Sequence, residues 1–215
     1  DDSILRKVQN ELNILIFDDE VYAGVTPRVA AEQYGANFVE SYKKDSQYLR
    51  YEEEDEHDDA PNSIFYSIYK NVEGKVVFNK ANLLSYQRIS VDYKGDKNSS
   101  TLYRNIVFDL NTGYKLTEED VFIPEYQEFL NKIILAKILE QNKAKSIEEL
   151  NRLGFWLEDF TTNDNFLVDD KGITYIFNED EYSSRTIGRI SVTIPYYEIE
   201  DILLPTSPVT VLAKK

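Results

Sequence analysis

Tyr103-Arg104-Asn105-Ile106-Val107-Phe108-Asp109-Leu110-Asn111-Thr112-Gly113 is the stretch on which the fold turns. Leu102, Arg104, Ile106, Phe108 and Leu110 alternate with Tyr103, Asn105, Val107 and Asp109, the period-two pattern of a strand. Asn111-Thr112-Gly113 reads as a turn, because Asn and Gly accept backbone conformations that other residues avoid. Thr117 then caps a helix whose first turn, Glu118-Glu119-Asp120, sets carboxylates at the positive end of the helix dipole. The strand–turn–helix unit carries no catalytic chemistry of its own.

Upstream of this unit the same period recurs. Ile64, Tyr66 and Ile68 alternate with Phe65, Ser67 and Tyr69, and a short strand over 75–80 is expected after a Glu73-Gly74 turn. Ile89, Val91 and Tyr93 line one face of the next strand. Sequential strands with short loops predict an antiparallel meander. Before them, Ile4, Leu5, Val8, Leu12, Leu15 and Ile16 recur at helical spacing over 4–17. Thr26-Pro27 opens a second helix, expected to run to about Lys44 with Ala30, Tyr34, Phe38 and Tyr42 on one stripe. Between helix and strands lies Glu52-Glu53-Glu54-Asp55-Glu56-His57-Asp58-Asp59, seven carboxylates in eight residues. Like charges so dense repel one another and cannot fill a core, so this run is expected as a solvated loop.

Downstream, the helical body is predicted over 124–142, with Phe129, Ile133, Ala136 and Leu139 or their neighbours facing inward. Ser146 with Glu149 is a capping box for a short helix ending near Gly154. Strands are expected at 165–169 and 173–178, joined by the Asp169-Asp170-Lys171-Gly172 hairpin turn. A third strand, 188–194, alternates Ile190, Val192 and Ile194 against Ser191 and Thr193. Pro195 opens a final short helix with Tyr197, Ile199 and Ile202, and Pro205 and Pro208 prevent its continuation. The order predicts an α+β fold: antiparallel sheets packed by helices, a helical N-terminus, and a C-terminal hairpin plus third strand and short helix. Residues 205–215 read as a tail.

Composition restricts function further. With 24 Lys and Arg against 39 Asp and Glu, the formal net charge is −15. Nucleic acid and anionic lipid bind through phosphate neutralisation by Lys and Arg, so this surface disfavours both and favours basic partners. There are no cysteines, which excludes disulfides, thiolate nucleophiles and Cys-based metal sites. Apolar runs such as Ile14-Leu15-Ile16-Phe17 are too short to span a bilayer. The chain opens abruptly at Asp1-Asp2, as expected where a signal segment has been removed.

No catalytic, cofactor-binding or metal-ligating residue is assigned. The eight glycines are too dispersed for a dinucleotide fingerprint or a phosphate loop. The single histidine, His57, sits in the acidic run, poorly placed for a triad or zinc site. Asp169-Asp170 is accounted for by its hairpin, and the acidic run lacks the spacing of a calcium loop. Asn98-Ser99-Ser100 matches a glycosylation acceptor, a short and frequently accidental pattern. The sixteen tyrosines are expected to line the sheets, and Trp156 to pack a helix end.

Leu83-Leu84-Ser85-Tyr86, then Asn105 through Gly113, then Asp120-Val121-Phe122, resemble the RsiV-like family of extracytoplasmic domains. The resemblance continues through Asn165-Phe166-Leu167, Gly172-Ile173-Thr174-Tyr175-Ile176-Phe177, Tyr182, Gly188 and Val192-Thr193-Ile194-Pro195-Tyr196. It covers about 83–204 and implies a variable N-terminal module over 1–82 followed by a more regular module over 83–204. The family includes a lysozyme-binding anti-sigma factor, and lipoproteins of Gram-negative gut bacteria of Bacteroides type. The resemblance implies a non-enzymatic binding or sensing domain in the periplasm or at the cell surface, anchored by lipid upstream of this chain. The implied partner is a basic protein such as lysozyme, or a cell-wall glycan. No ligand-binding residue carries over: the family's Gly-rich, His-containing loop after the strand near Tyr93 is here Lys94-Gly95-Asp96-Lys97-Asn98. The alternatives are a cell-wall carbohydrate hydrolase, which needs two convergent carboxylates in a cleft, and a glycan- or peptidoglycan-binding module, which needs exposed Tyr or Trp156.

Overall fold

A computed structural model describes residues 2–53, 68–94 and 99–214. Most of the acidic run including His57, the first four residues of the strand expected at 64–69, and Asn98 lie outside the described residues. The architecture is α+β. Helices α1 (Asp2–Phe17) and α2 (Pro27–Glu53) precede a four-stranded antiparallel sheet. Its strands are β1 (Ile68–Lys80), β2 (Leu83–Lys94), β3 (Ser100–Asp109) and β4 (Tyr114–Lys115), in chain order. Helices α3 (Glu118–Val121), α4 (Tyr126–Gln141) and α5 (Ile147–Leu153) follow. A second antiparallel sheet comprises β5 (Phe166–Val168), β6 (Gly172–Phe177) and β7 (Ile190–Pro195), and α6 (Thr210–Ala213) ends the chain. No described helix is long and apolar enough to cross a membrane.

The N-terminal helices form where expected, although α2 extends beyond Lys44 to Glu53. Its expected stripe holds: Ala30 is fully buried and Tyr34, Phe38 and Tyr42 are half-buried. The rings of Phe17, Tyr22 and Tyr34 interlock between α1 and α2, and buried Asn13 donates to the carbonyls of Tyr22 and Val25.

Glu73-Gly74 is not a turn. β1 runs straight through it, with Gly74 opposite Arg88, and the chain reverses at Ala81-Asn82 instead. Both turn residues have positive φ (56° and 59°), the conformation of the tight hairpin turn whose twist matches the strands. Gly74 makes room for a side chain from the next strand. A Cβ there would lie 1.7 Å from the Tyr86 hydroxyl, which covers it from β2. A bulge between Val76 and Phe78 then shifts the register, so Phe78 pairs with Ser85 and joins the core.

The sheet is covered on both faces. Leu83 and Val107 share one face and enter the main core with Leu130, Ile134 and Ile138 of α4 and the inward side of β5–β7. Arg88 lies on the opposite face, under the end of α1. The outer edge of β3 is closed by side chains rather than by a long strand. Thr101 N donates to Glu179, Tyr103 N to Asn178 and Asn105 N to Asn165. Asn165 and Asn178 each donate in return to Tyr103 O. These amides join the two sheets and satisfy backbone groups that an open edge would leave for another chain. Ser85 adds a second link, donating to Val168 O (2.6 Å) and accepting from Val168 N (3.1 Å).

Further expectations are refined or corrected. The helix after Thr117 is two helices: α3 ends at Val121, Pro124 intervenes, and Glu125 at φ 68° starts α4. The inward stripe of α4 falls on the expected neighbours Leu130, Ile134 and Ile138, with Ile133 and Leu139 packed beside them, while Phe129 is 44% exposed and Ala136 faces outward. After Pro195 the chain makes two 3-10 turns, Tyr196–Glu198 and Glu200–Ile202; Tyr197 points to solvent while Ile199 and Ile202 are buried. Residues 205–215, expected as a tail, contribute Val209 and Leu212 to the core.

The C-terminal hairpin forms as read. Asp169 Oδ1 accepts from Lys171 N and Gly172 N, and Tyr196 donates its hydroxyl to Asp169 O. Ile190, Val192 and Ile194 are buried, and Ser191 and Thr193 are exposed.

Candidate functional site

A cleft of about 400 Å3 lies between the C-terminal half of α1 and β3 with the segment that follows it. Amphipathic α1 supplies Ile14 and Leu15 to its walls, and β3 and the later segments supply Ile106, Val107, Leu116 and Phe166. The charged lining is unequal: Glu11, Asp18, Asp19, Glu20 and Asp164 face Arg104 and Lys115. Five carboxylates against two cations give the cleft a local negative surplus, within a protein already strongly acidic.

The pairing inside the cleft is specific. Lys115 approaches Glu11 (3.7 Å), and Arg104 donates from Nη1 to Asp18 Oδ1. Asp19 accepts from Val21 N and so caps the 3-10 turn Glu20–Tyr22. Behind Asp18 lies Arg88, 1% exposed, whose Nε donates to Ile16 O (3.2 Å). Burial lowers the proton affinity of Arg88; Asp18 opposes that effect and Arg104 adds to it.

Next to the lining residues Thr117 and Asp164 stands a buried carboxylate. Glu118, 4% exposed, accepts from the Tyr126 hydroxyl (2.9 Å) and Thr162 Oγ1 (2.7 Å). Its own amide donates to Asp164 Oδ1 (2.7 Å), and Asp164 holds a left-handed backbone at φ 55°. Burial, then the hydrogen bond to Glu118, pushes the Tyr126 hydroxyl far above the ordinary tyrosine range. Burial and the Glu118 charge do the same to Tyr175, whose hydroxyl makes no well-formed hydrogen bond. A carboxylate so enclosed and multiply bonded ties α3 and α4 to the segment before β5.

Of the residues singled out in the sequence, Asp169 and Asp170 sit at the hairpin turn, away from this cleft, and Asp169 holds that turn. Trp156 is not packed away: it is 42% exposed, with its indole N–H donating to Glu181 O (2.9 Å). Tyr182 holds its turn through Thr161, as donor to its carbonyl and acceptor from its amide, and packs on Phe160 and Phe177. Sequence reasoning missed Asp18, Arg104 and Glu118. Glu118 had a local signal, an acidic first turn after Thr117, but its partners at Thr162 and Asp164 are over forty residues away.

Comparison with known proteins places this fold. No curated protein matches the chain. A solved protein of the DUF3298 family from Bacteroides fragilis superposes with a TM-score of 0.90 at 24% identity, covering 100% of this chain and 83% of its own. A solved DUF3298-family protein from Pseudomonas aeruginosa gives a TM-score of 0.54 at 18% identity, covering 63% of this chain and 62% of its own. Residues 119–197, inside the stretch that carries the sequence resemblance, match the sequence profile described as "Protein of unknown function (DUF3298)", and the chain as a whole has the fold of the Bacteroides protein.

Proposed function

We propose that this chain is a non-enzymatic, extracytoplasmic recognition domain of a bacterial envelope protein, and that its partner is a basic protein of the lysozyme kind. The observation that carries the reading is the charge imbalance of the α1–β3 cleft, where carboxylates outnumber cations. Net charge of −15 supports it, because an acidic surface steers a cationic partner toward the cleft at low ionic strength. The apolar walls add contact area that charge alone lacks. The RsiV-like resemblance supports both the compartment and a lysozyme-like partner, and a lipid anchor upstream fits the same reading.

The test is calorimetric titration with lysozyme at about 20 mM and about 300 mM salt, spanning the range over which screening of exposed charges becomes strong. Saturable binding at low salt that weakens several-fold at high salt is expected. A flat titration at low salt rejects the basic-partner reading.

A further inference from the structure

We infer that the α1–β3 cleft takes one cationic side chain of the partner, an arginine or lysine, and that Arg104 is the internal occupant it displaces. The inference rests on the basic-partner reading and adds where the partner is held and by what exchange.

Three observations converge on a cation at this point. The last carbonyls of α1 give its C-terminal end a partial negative charge. The fold already answers that charge with one guanidinium, since buried Arg88 donates to Ile16 O. Asp18, directly after the helix in a left-handed conformation (φ 60°), adds a full negative charge, and Asp19 and Glu20 follow it in the lining.

Arg104 is suited to leave. Its side chain and that of Asp18 are 44% and 38% exposed, so water and an incoming side chain both reach the pair. Ion pairs of that exposure hold weakly. An incoming arginine or lysine has, in addition, an aliphatic stem that packs on Leu15 and Ile106. Arg104, rooted in β3, replaces the ligand's charge but adds no contact that the free domain lacks.

The experiment compares lysozyme affinity at low salt for the wild type, Arg104→Gln and Lys132→Gln. Lys132 pairs with Glu128 on the exposed face of α4, so its substitution removes the same charge away from the cleft. Circular dichroism confirms that each variant is folded. Arg104→Gln is expected to bind about two- to fivefold more tightly than Lys132→Gln, the range of an exposed ion pair. In an Asp18→Asn background, where Asn tolerates the left-handed backbone, Arg104→Gln is expected to give no such gain. Equal affinities for the two glutamine variants, with wild-type binding intact, overturn the exchange and leave the basic-partner reading standing. No saturable binding by either the wild type or Arg104→Gln overturns both.

Discussion

Gly172 and Gly74 show how much a single missing Cβ decides. Neither has the positive φ that usually explains a glycine. At Gly172 a Cβ would meet the Ile194 carbonyl oxygen at 2.1 Å, a backbone atom that cannot turn aside. Gly172→Ala is therefore expected to destabilise by about 3 kcal/mol, at the upper end of overpacking costs, read as a lower urea midpoint. A midpoint within experimental error of wild type would show that β6 and β7 separate at little cost. At Gly74 the obstructing atom is the end of the Tyr86 side chain, which can swing away. The two positions differ in sequence only by their neighbours. Glu73-Gly74 reads as a turn, whereas the real turn, Ala81-Asn82, begins with a residue that pays no sequence tribute to positive φ. What settles both is the cross-strand partner, which a one-dimensional pattern does not contain.

At the scale of elements, periodicity located the strands and helices and left their faces to packing. Phe129-Leu130 and Ile133-Ile134 are adjacent apolar pairs, so α4 offers two equivalent stripes on paper. The Glu128–Lys132 pair marks the wet side, and Leu130, Ile134 and Ile138 take the core. The joint between the sheets was not legible at all. Asn165 accepts from Asn105 N (2.8 Å) and donates to Tyr103 O (3.0 Å) and Ile176 O (2.9 Å), bonds that no local spacing reveals. Asn165→Ala leaves Asn105 N without its acceptor, whereas Tyr103 O and Ile176 O keep donors in Asn178 and Asn163, and it is expected to cost about 1–2 kcal/mol. Hydrogen exchange should report the change as faster exchange at Asn105, with the amides of β1 less affected; uniform protection across β3 would argue that water replaces the side chain without loss.

For the molecule as a whole, buried tyrosines set the alkaline limit. Burial raises Tyr126, Tyr175 and Tyr196, with Glu118 adding to the first two and Asp169 and Asp170 to the third. Each stays protonated in the fold above the ordinary tyrosine value of about 10, where the unfolded chain has begun to lose its protons. Their stabilising contribution is thus complete below that value and declines as pH rises past it toward the raised folded values. Urea midpoints are expected to be level from pH 8 to about 9.5 and to fall from about pH 10 upward. Tyr196→Phe should make the fall shallower, and an unchanged slope in that variant would remove Tyr196 from the account.

By itself the sequence determined the α+β class, the C-terminal hairpin with its third strand, the N-terminal helices and the strongly acidic net charge. Those properties follow from periodicity, turn chemistry and charge, all of which are local or additive. Only the tertiary structure decided that Asp18 meets Arg104, that Glu118 is enclosed by Tyr126 and Thr162, and that Asn165 and Asn178 seal the edge of β3. Each of these joins residues from separate elements, and the cost or gain of a polar group depends on what surrounds it once the elements have packed.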